Sequence, residues 1–389
     1  MDYGVNLAFD CQHLYFITPS CPEDGEGLFF IGEENNNPNV FYKDFATGKI
    51  TQITHNENGV YSCGLPGKGL GKATVCLDKK NARVFFCMDD KLYCGEKDGT
   101  LRVLCTLPQN ITTAYMHVSA DGTRVVMPTT DARVLDSVET RGAAYPKFTG
   151  NIDERIQHEG LCSWLRVFDT ETGEQVLCET VPNAWITHAQ FHPKNNEWIM
   201  YNHEWASFGG VRRMWLWNGK YHRALRSIDE GRSIHDWVCH EVWSPDGEYI
   251  IYHGDFAKDK RNFVGRLEVS TGKIVEITLP EAYRHYGHFN IAENGLLVSD
   301  GYYYPEEKQC ELAENIDSGA RWITVVKPDW EKGTLEWIPL ERHDTSWSIQ
   351  DSHPHPSFSP DCKRIFYTTD ASGKLEVRSC AVPAQEVES

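Results

Sequence analysis

The sequence lacks the features that define several large protein classes. It contains no run of 18 apolar residues, so no membrane-spanning helix is expected. Lys and Arg total only 38 against 56 Asp and Glu, which gives a formal net charge of −18. The sequence therefore lacks the excess of basic residues that a general nucleic-acid-binding protein needs. An anionic small substrate remains compatible with this charge, because a local cluster of Arg and His can dominate one pocket.

Paired cysteines and common catalytic loops are also missing. The 13 cysteines include no Cys-x-x-Cys pair, which predicts mostly buried, reduced thiols rather than a disulfide scaffold. The N-terminal stretch has no apolar core region, so we expect no secretory signal and a cytoplasmic protein. No Gly-x-Ser-x-Gly elbow is present, which argues against a serine hydrolase. The glycine-rich stretch around Lys68 lacks the Lys-Ser/Thr pair of a phosphate-binding loop.

Short strand patterns fill most of the chain. Aromatic residues make up 12%, and β-rich runs such as LFFIG, RVFFCM, WLRVFD and YIIYHG alternate with turn sequences. Long amphipathic helical windows are missing, and residues 138–160 are the best place for a helical or irregular insertion. The pattern predicts an all-β protein.

One turn recurs seven times and defines a repeat. The seven copies are PEDG, DKKN, SADG, HPKN, SPDG, AENG and SPDC, each followed by a strong strand. A two-sheet sandwich would not need seven copies of one turn, so we predict a seven-bladed β-propeller that forms a single domain over residues 1–389. The last unit is one strand short, and we expect the residues before Gln12 to supply that strand.

Histidines recur at one position of this repeat. Four consecutive units carry a histidine six positions before the third residue of the turn, and these are His188, His240, His288 and His355. In a propeller the lead-in strand is innermost, so equivalent positions converge at one mouth of the central channel. The repeat therefore predicts a ring of imidazoles, although histidine could also simply suit a polar channel mouth.

The last unit adds a second histidine. His353 and His355 are two residues apart, so both side chains would point to one face of a strand, and the prolines beside them suit an edge strand. Together with His288 they form a candidate site for a divalent ion such as Mn, Fe, Ni or Zn. No thiolate is near in sequence, which disfavours structural zinc. Gln350 could join the site only from a loop or a bulge.

The Gln350, His353 and His355 motif followed by PSFSPD resembles the oligogalacturonate lyase family, which are metal-dependent β-propeller polysaccharide lyases of the cytoplasm. The resemblance extends from about Gln12 to Cys380. It implies a manganese ion bound by His288, Gln350, His353 and His355.

The resemblance also implies roles for residues outside the metal site. His240 in CHEVWSPDG would be the catalytic base, and Arg213 in VRRMWLW would bind substrate and assist catalysis. His188 and His203 lie in stretches similar to the family and are expected to bind substrate. From the residues alone, Arg213 could equally be a packing or ion-pair arginine beside Trp215, and His240 could merely support a ligand.

These groups suit a β-elimination. A neutral imidazole can remove the C5 proton of a 4-linked uronide, a divalent metal on the adjacent carboxylate stabilises the enolate-like charge, and an Arg can bind a carboxylate in two-pronged geometry. Together with the resemblance, which implies pectin as the source of the substrate, these groups predict a carbon–oxygen lyase that acts on small anionic uronic-acid oligosaccharides.

Two alternatives remain open: the same elimination on another uronide, such as a glucuronate-containing oligosaccharide, and a non-catalytic propeller that binds sugar or protein. The presence of both His240 and the complete Gln350, His353 and His355 set argues against the second alternative.

Overall fold

The computed structural model of the protein describes residues 2–60, 67–137, 152–204, 210–279, 287–301 and 321–383. In these ranges strands dominate, as predicted. The described helices are short: one α-helix, α1 (Ile152–His158), and three 3-10 turns, Lys72–Thr74, Ala132–Ser137 and Gln350–Ser352. Of the insertion predicted around 138–160, residues 138–151 lie outside the described residues, and helix α1 follows them.

The chain divides into two compact units, one of residues 20–236 and one of residues 1–19 with 237–389. The N-terminal strand β1 (Asp10–His13) belongs to the second unit. The first unit contains four antiparallel sheets. Their strands are β2 (Gly27–Glu34), β3 (Asn37–Asp44) and β4 (Ile50–Gln52); β5 (Cys76–Asp78), β6 (Arg83–Met88), β7 (Lys91–Glu96) and β8 (Leu101–Thr106); β9 (Ile111–Thr113), β10 (His117–Val118), β11 (Arg124–Asp131), β12 (Cys162–Asp169) and β13 (Gln175–Pro182); and β14 (Ala189–His192), β15 (Asn195–Asn202), β16 (Met214–Trp217) and β17 (His222–Ala224).

The second unit contains three further antiparallel sheets. Their strands are β18 (Trp237–Trp243), β19 (Tyr249–Asp255), β20 (Asn262–Glu268) and β21 (Ile274–Thr278); β22 (Phe289–Ile291), β23 (Leu297–Ser299), β24 (Trp322–Asp329) and β25 (Thr334–Arg342); and β26 (Ser357–Phe358), β27 (Arg364–Thr369) and β28 (Glu376–Ala381). The last sheet has three strands, and Val5 completes it through an antiparallel bridge to Val377, with reciprocal N–H···O bonds of 2.7 and 2.9 Å. The N-terminal residues thus pair with the edge of the last sheet, as expected, but through a single bridge rather than a full strand.

In the described residues seven sheets follow one another along the chain, and within each sheet consecutive strands pair, except that β9 pairs with β11. This order confirms the predicted all-β, seven-bladed β-propeller class. That residues 1–389 form a single domain stays a prediction. The repeated turn has one geometry: the amides of Gly122, Gly247 and Gly295 donate to the carbonyl three residues earlier at 2.8, 2.9 and 2.9 Å. These glycines have φ of 75°, 77° and 82°, where a side chain would be strained.

Burial explains why these segments form strands. Inner strands are buried on both faces, as in β2 (Gly27–Glu34), where Leu28, Phe29 and Phe30 are 0% exposed. The outer strand β25 (Thr334–Arg342) alternates exposed and half-buried residues, because one face meets water. Apolar side chains fill the space between neighbouring sheets, for example Val298, Ile365 and Tyr367. This packing fixes the positions of the inner strands, and the candidate site residues lie next to the ends of these strands.

Most of the described cysteines are buried, as predicted. Every described cysteine is a free thiol, and Cys76 and Cys87 are buried in the core between two sheets. Burial raises the pKa of Cys87 to about 12, so this thiol is unreactive. Among the described helices, none has the length and apolar character needed to cross a membrane.

Candidate metal centre

The structure brings three of the predicted ligands together. His288 directly precedes β22, and His353 and His355 precede β26 of the next sheet. One ring nitrogen from each of these three histidines lies within 4.8 Å of the others. His288 and His355 are buried, and His353 is half-buried. Three converging imidazoles, with no thiolate in the described cluster, form a ligand set suited to a borderline divalent ion.

The local geometry of His353 and His355 differs from the strand that we expected. Residues Gln350–Ser352 form a 3-10 turn, and β26 begins only at Ser357, so the two histidines lie on an irregular segment. His355 has φ of 48°, in the left-handed region that is unusual for a residue with a side chain. The prediction of an i, i+2 pair on one strand face was therefore wrong, although the two imidazoles do converge.

Gln350 joins the three histidines from the 3-10 turn. Its side-chain Nε2 lies 3.2 Å from Nε2 of His355 and donates to it. The expectation that Gln350 could reach the site only from an irregular segment is met. The side-chain amide of Gln350 therefore lies beside His355, and its role as a fourth ligand stays a prediction.

Buried contacts hold the segment between His353 and His355 in place. The carbonyl of Pro354 accepts a hydrogen bond from Thr368 N at 3.0 Å and lies 2.8 Å from Nε2 of His13. Burial lowers the pKa of His13 to about 4, so its ring is neutral and donates one proton to this carbonyl. Two donors from different segments thereby fix the backbone between the two candidate ligand histidines.

Asp300, which the sequence analysis missed, lies behind the ligands. Its Oδ1 accepts from the backbone N–H of His288 at 2.6 Å, and its Oδ2 lies 2.9 Å from His288 Nδ1 and accepts from His355 N at 3.1 Å. Burial acts to raise the pKa of Asp300, but the His288 ring and these donors outweigh it and hold the pKa below its usual value. The residue is therefore a buried carboxylate between two candidate ligands.

His240 lies beside the three candidate ligand histidines but belongs to another sheet. It occupies a β-bulge in β18, where the pairing with β19 shifts between Cys239 and Val242, and its φ is 53°. A bulge turns a side chain away from its regular direction. The ring centroid of His240 lies 4.3 Å from that of His288.

A second histidine orients His240. Nδ1 of His240 lies 2.7 Å from Nε2 of His253 and 3.2 Å from the carbonyl oxygen of Gly287. Because the carbonyl can only accept, the proton of a neutral His240 is favoured on Nδ1, and Nε2 then carries the lone pair. The arrangement suits a general base that works through Nε2. His253 was not predicted, because it lies inside β19 and outside the repeated offset.

Aromatic rings surround the four histidines. Phe16 is fully buried and packs against His240 and His288, with ring centroids 5.2 and 5.4 Å away. Trp347 lies 4.4 Å from His353, and Tyr15 lies 4.8 Å from His355. These rings restrict the imidazole rotamers and lower the local dielectric constant, which strengthens electrostatic interactions in the site.

The other predicted residues lie in the first unit and form a cluster of their own. Arg213 is buried, donates to Glu204 Oε1 at 3.2 Å, and has Nη2 3.5 Å from Nδ1 of His188. Glu204 also accepts from Asn202 at 3.0 Å. The ion pair that we gave as an alternative for Arg213 is therefore present, with Glu204 as its partner.

His203 is placed differently. Its backbone N–H donates to the Arg213 carbonyl at 2.8 Å, but its ring lies against Tyr201 and Trp215, with centroids 5.9 and 5.3 Å away. Burial, and then His222, lower the pKa of His203 to about 4. A neutral ring cannot attract a carboxylate as a cation, so any role of His203 in substrate binding is limited to hydrogen bonding and packing.

Comparison with known proteins finds relatives over nearly the whole chain. A family model described as oligogalacturonate lyase matches residues 6–386. The chain is 28% identical to the oligogalacturonide lyase of Pectobacterium atrosepticum, covering 96% of this chain and 90% of that protein. It is 24% identical to the oligogalacturonate lyase of Dickeya dadantii, with the same coverage. The solved structure of an oligogalacturonate lyase in complex with manganese, 21% identical, matches 96% of this chain and 90% of that one with a TM-score of 0.72.

The fold and the family match together define an enzyme class, the β-propeller lyases of uronic-acid oligosaccharides. Within this class the chain belongs to the oligogalacturonate lyase family. The predictions of fold class, family and lyase activity are confirmed. The roles of individual site residues stay predictions.

Proposed function

We propose that this protein cleaves 4-linked galacturonate oligosaccharides by β-elimination and releases a 4,5-unsaturated uronate. The observation that carries the proposal is the convergence of His288, His353 and His355 with Gln350, beside an oriented His240. A non-catalytic sugar-binding propeller would need neither this ligand set nor a histidine oriented beside it.

The donor set supports a resident divalent metal. His288, His353 and His355 would hold the ion through imidazole nitrogens, and Gln350 would add its amide oxygen. Manganese is the ion that the solved relative contains, and it accepts nitrogen and oxygen ligands. When bound, such an ion supplies Lewis-acid stabilisation of the negative charge that develops on the substrate carboxylate.

His240 would remove the C5 proton. Its Nε2 accepts that proton, the C5–H electron pair forms the C4=C5 double bond, and the C4–O glycosidic bond breaks. The leaving oxygen takes a proton from solvent or a nearby donor, and no water is consumed. The hydrogen bonds that His240 Nδ1 donates to Nε2 of His253 and to the carbonyl oxygen of Gly287 would stabilise the imidazolium as it forms.

Arg213 would bind a uronate carboxylate. Its guanidinium always carries a charge, and Glu204 holds it through Nη1, which fixes its direction before substrate arrives. His188 lies against the same guanidinium and would contribute a hydrogen bond to the sugar. His203 would support this cluster through the backbone bond to Arg213 and through packing.

The decisive experiment combines metal analysis with product analysis. Purified protein is expected to contain about one divalent ion per chain. Digalacturonate is expected to give one unsaturated product, seen as a rise in ultraviolet absorbance and with a mass one water molecule below that of galacturonate. A saturated product with uptake of water would place the protein among hydrolases. A faster reaction on a glucuronate-containing oligosaccharide would reassign the sugar and keep the elimination.

A further inference from the structure

Asp300 connects two candidate ligands that are distant in the chain. The residue is 0% exposed and directly follows β23. One of its oxygens accepts from the backbone of His288 at 2.6 Å, and the other contacts His288 Nδ1 at 2.9 Å and the backbone of His355 at 3.1 Å. A single carboxylate therefore touches both segments that carry the ligands.

We infer that Asp300 is a positioning residue that assembles the metal centre before the ion binds. A carboxylate at Nδ1 favours the proton on that nitrogen, so Nε2 of His288 keeps its lone pair for the ion. The bond to His355 N holds that residue in its left-handed backbone conformation, which would otherwise be unfavourable. The inference depends on the proposed function, because it assumes that these histidines bind a metal.

The packing around Asp300 shows that the contact is built in rather than incidental. A Cβ atom on Gly287 would lie 1.7 Å from Asp300 Oδ1. Any residue other than glycine at position 287 would therefore displace the carboxylate from His288. Glycine at this position allows the close approach of Asp300 to the backbone beside the ligand.

The charge of Asp300 points to the same role. Among the ion pairs of the described residues, the only partner of Asp300 is the His288 imidazole. A buried carboxylate without a Lys or Arg partner is unfavourable in the protein alone. A divalent cation held by His288 would offset this charge, and the hydrogen bond from Nδ1 to the carboxylate would make the imidazole a stronger ligand.

The test compares Asp300→Asn with Asp78→Asn. Asp78 is 1% exposed and pairs with Arg83 at 2.9 Å, so it is a matched buried carboxylate in the other unit. Asp300→Asn is expected to weaken Mn²⁺ binding about 10- to 100-fold in isothermal titration calorimetry. Asp78→Asn is expected to lower the free energy of unfolding and leave the Mn²⁺ affinity unchanged. Equal Mn²⁺ affinities in wild type and Asp300→Asn, or equal losses in both variants, would overturn the inference.

A second measurement needs no variant. In metal-free wild-type protein labelled with ¹⁵N-histidine, at pH 8, His288 is expected as the Nδ1–H tautomer. An Nε2–H tautomer would contradict the inference even if Asp300→Asn failed to fold. Wild-type protein that binds no Mn²⁺ would instead refute the proposed metal centre. The tautomer of His288 would still show whether the contact with Asp300 is present. The two failures are therefore distinguishable.

Discussion

Replacement of His240 by asparagine tests the proposed catalytic base most directly. His240 has φ of 53°, and alanine would be strained there by about 1–2 kcal/mol, whereas asparagine tolerates the left-handed region. Asparagine has no basic nitrogen, but its amide can still donate toward the Gly287 carbonyl. The variant thus removes the base and keeps the backbone geometry of the bulge.

The expected loss follows from the role of the base. A positioned general base contributes about 10²- to 10⁴-fold, so kcat should fall at least about 100-fold, or about 2.7 kcal/mol in activation free energy. KM should change little, because proton abstraction occurs only in the transition state. Loss of the contact at 2.7 Å leaves the buried His253 without this hydrogen-bond partner and should lower the free energy of unfolding by about 1–3 kcal/mol.

The assay follows the unsaturated product of digalacturonate by ultraviolet absorbance, with metal content and urea unfolding measured on the same samples. His55→Asn, at an exposed position, is the control for the substitution itself and should retain full kcat. Unchanged kcat in His240→Asn would refute the base assignment. Loss of the metal together with activity would show that His240 is a ligand, and proton abstraction would then have to be tested at His188 or Arg213.

Three further outcomes are expected. The double variant His353→Ala and His355→Ala should lose stoichiometric metal and keep its far-ultraviolet circular dichroism; unchanged metal content would show that the site is wrongly assigned. A chelator should abolish activity and lower the Tm, and Mn²⁺ at 100 times its Kd should restore about 2.7 kcal/mol of stability; a Tm insensitive to Mn²⁺ would contradict this. The pKa of His203 is about 6.5 in the unfolded chain and about 4 in the folded protein. The unfolded chain therefore binds more protons between these pH values, and the free energy of unfolding falls as the pH falls. Between pH 7.5 and 5.0 His203 should lower the free energy of unfolding by about 2 kcal/mol. In urea titrations, the decrease in the free energy of unfolding over this pH range should be about 2 kcal/mol smaller in His203→Gln than in wild type.

The repeat made much of the site predictable. The tight turn recurs in every blade, so the number of residues before the turn gives a residue's position within its blade. His240, His288 and His355 each lie six residues before the third residue of the turn and could therefore be recognised as equivalent. Their spatial convergence follows from that equivalence and not from nearness in sequence. Gln350 carries no such signal and was assigned through the family resemblance.

The supporting residues could not be predicted in this way. Asp300 and His253 have no fixed offset from the turn, and each acts through a contact with a residue from another segment of the chain. The signal for Asp300 was a carboxylate directly after the apolar run LLVS, but a solvent-exposed turn residue gives the same pattern. Only the packed structure shows that this carboxylate is buried.

The sequence by itself determined the all-β architecture, the seven blades and the histidine positions, because turn chemistry and strand alternation are local properties that repeat along the chain. The tertiary structure decided the backbone at His240 and His355, both held at positive φ, and the hydrogen bonds that orient them. It also replaced the predicted strand at His353 with an irregular segment after a 3-10 turn. These features depend on contacts between residues far apart in sequence, whose energies outweigh the local preference of the backbone and are visible only once the sheets have packed.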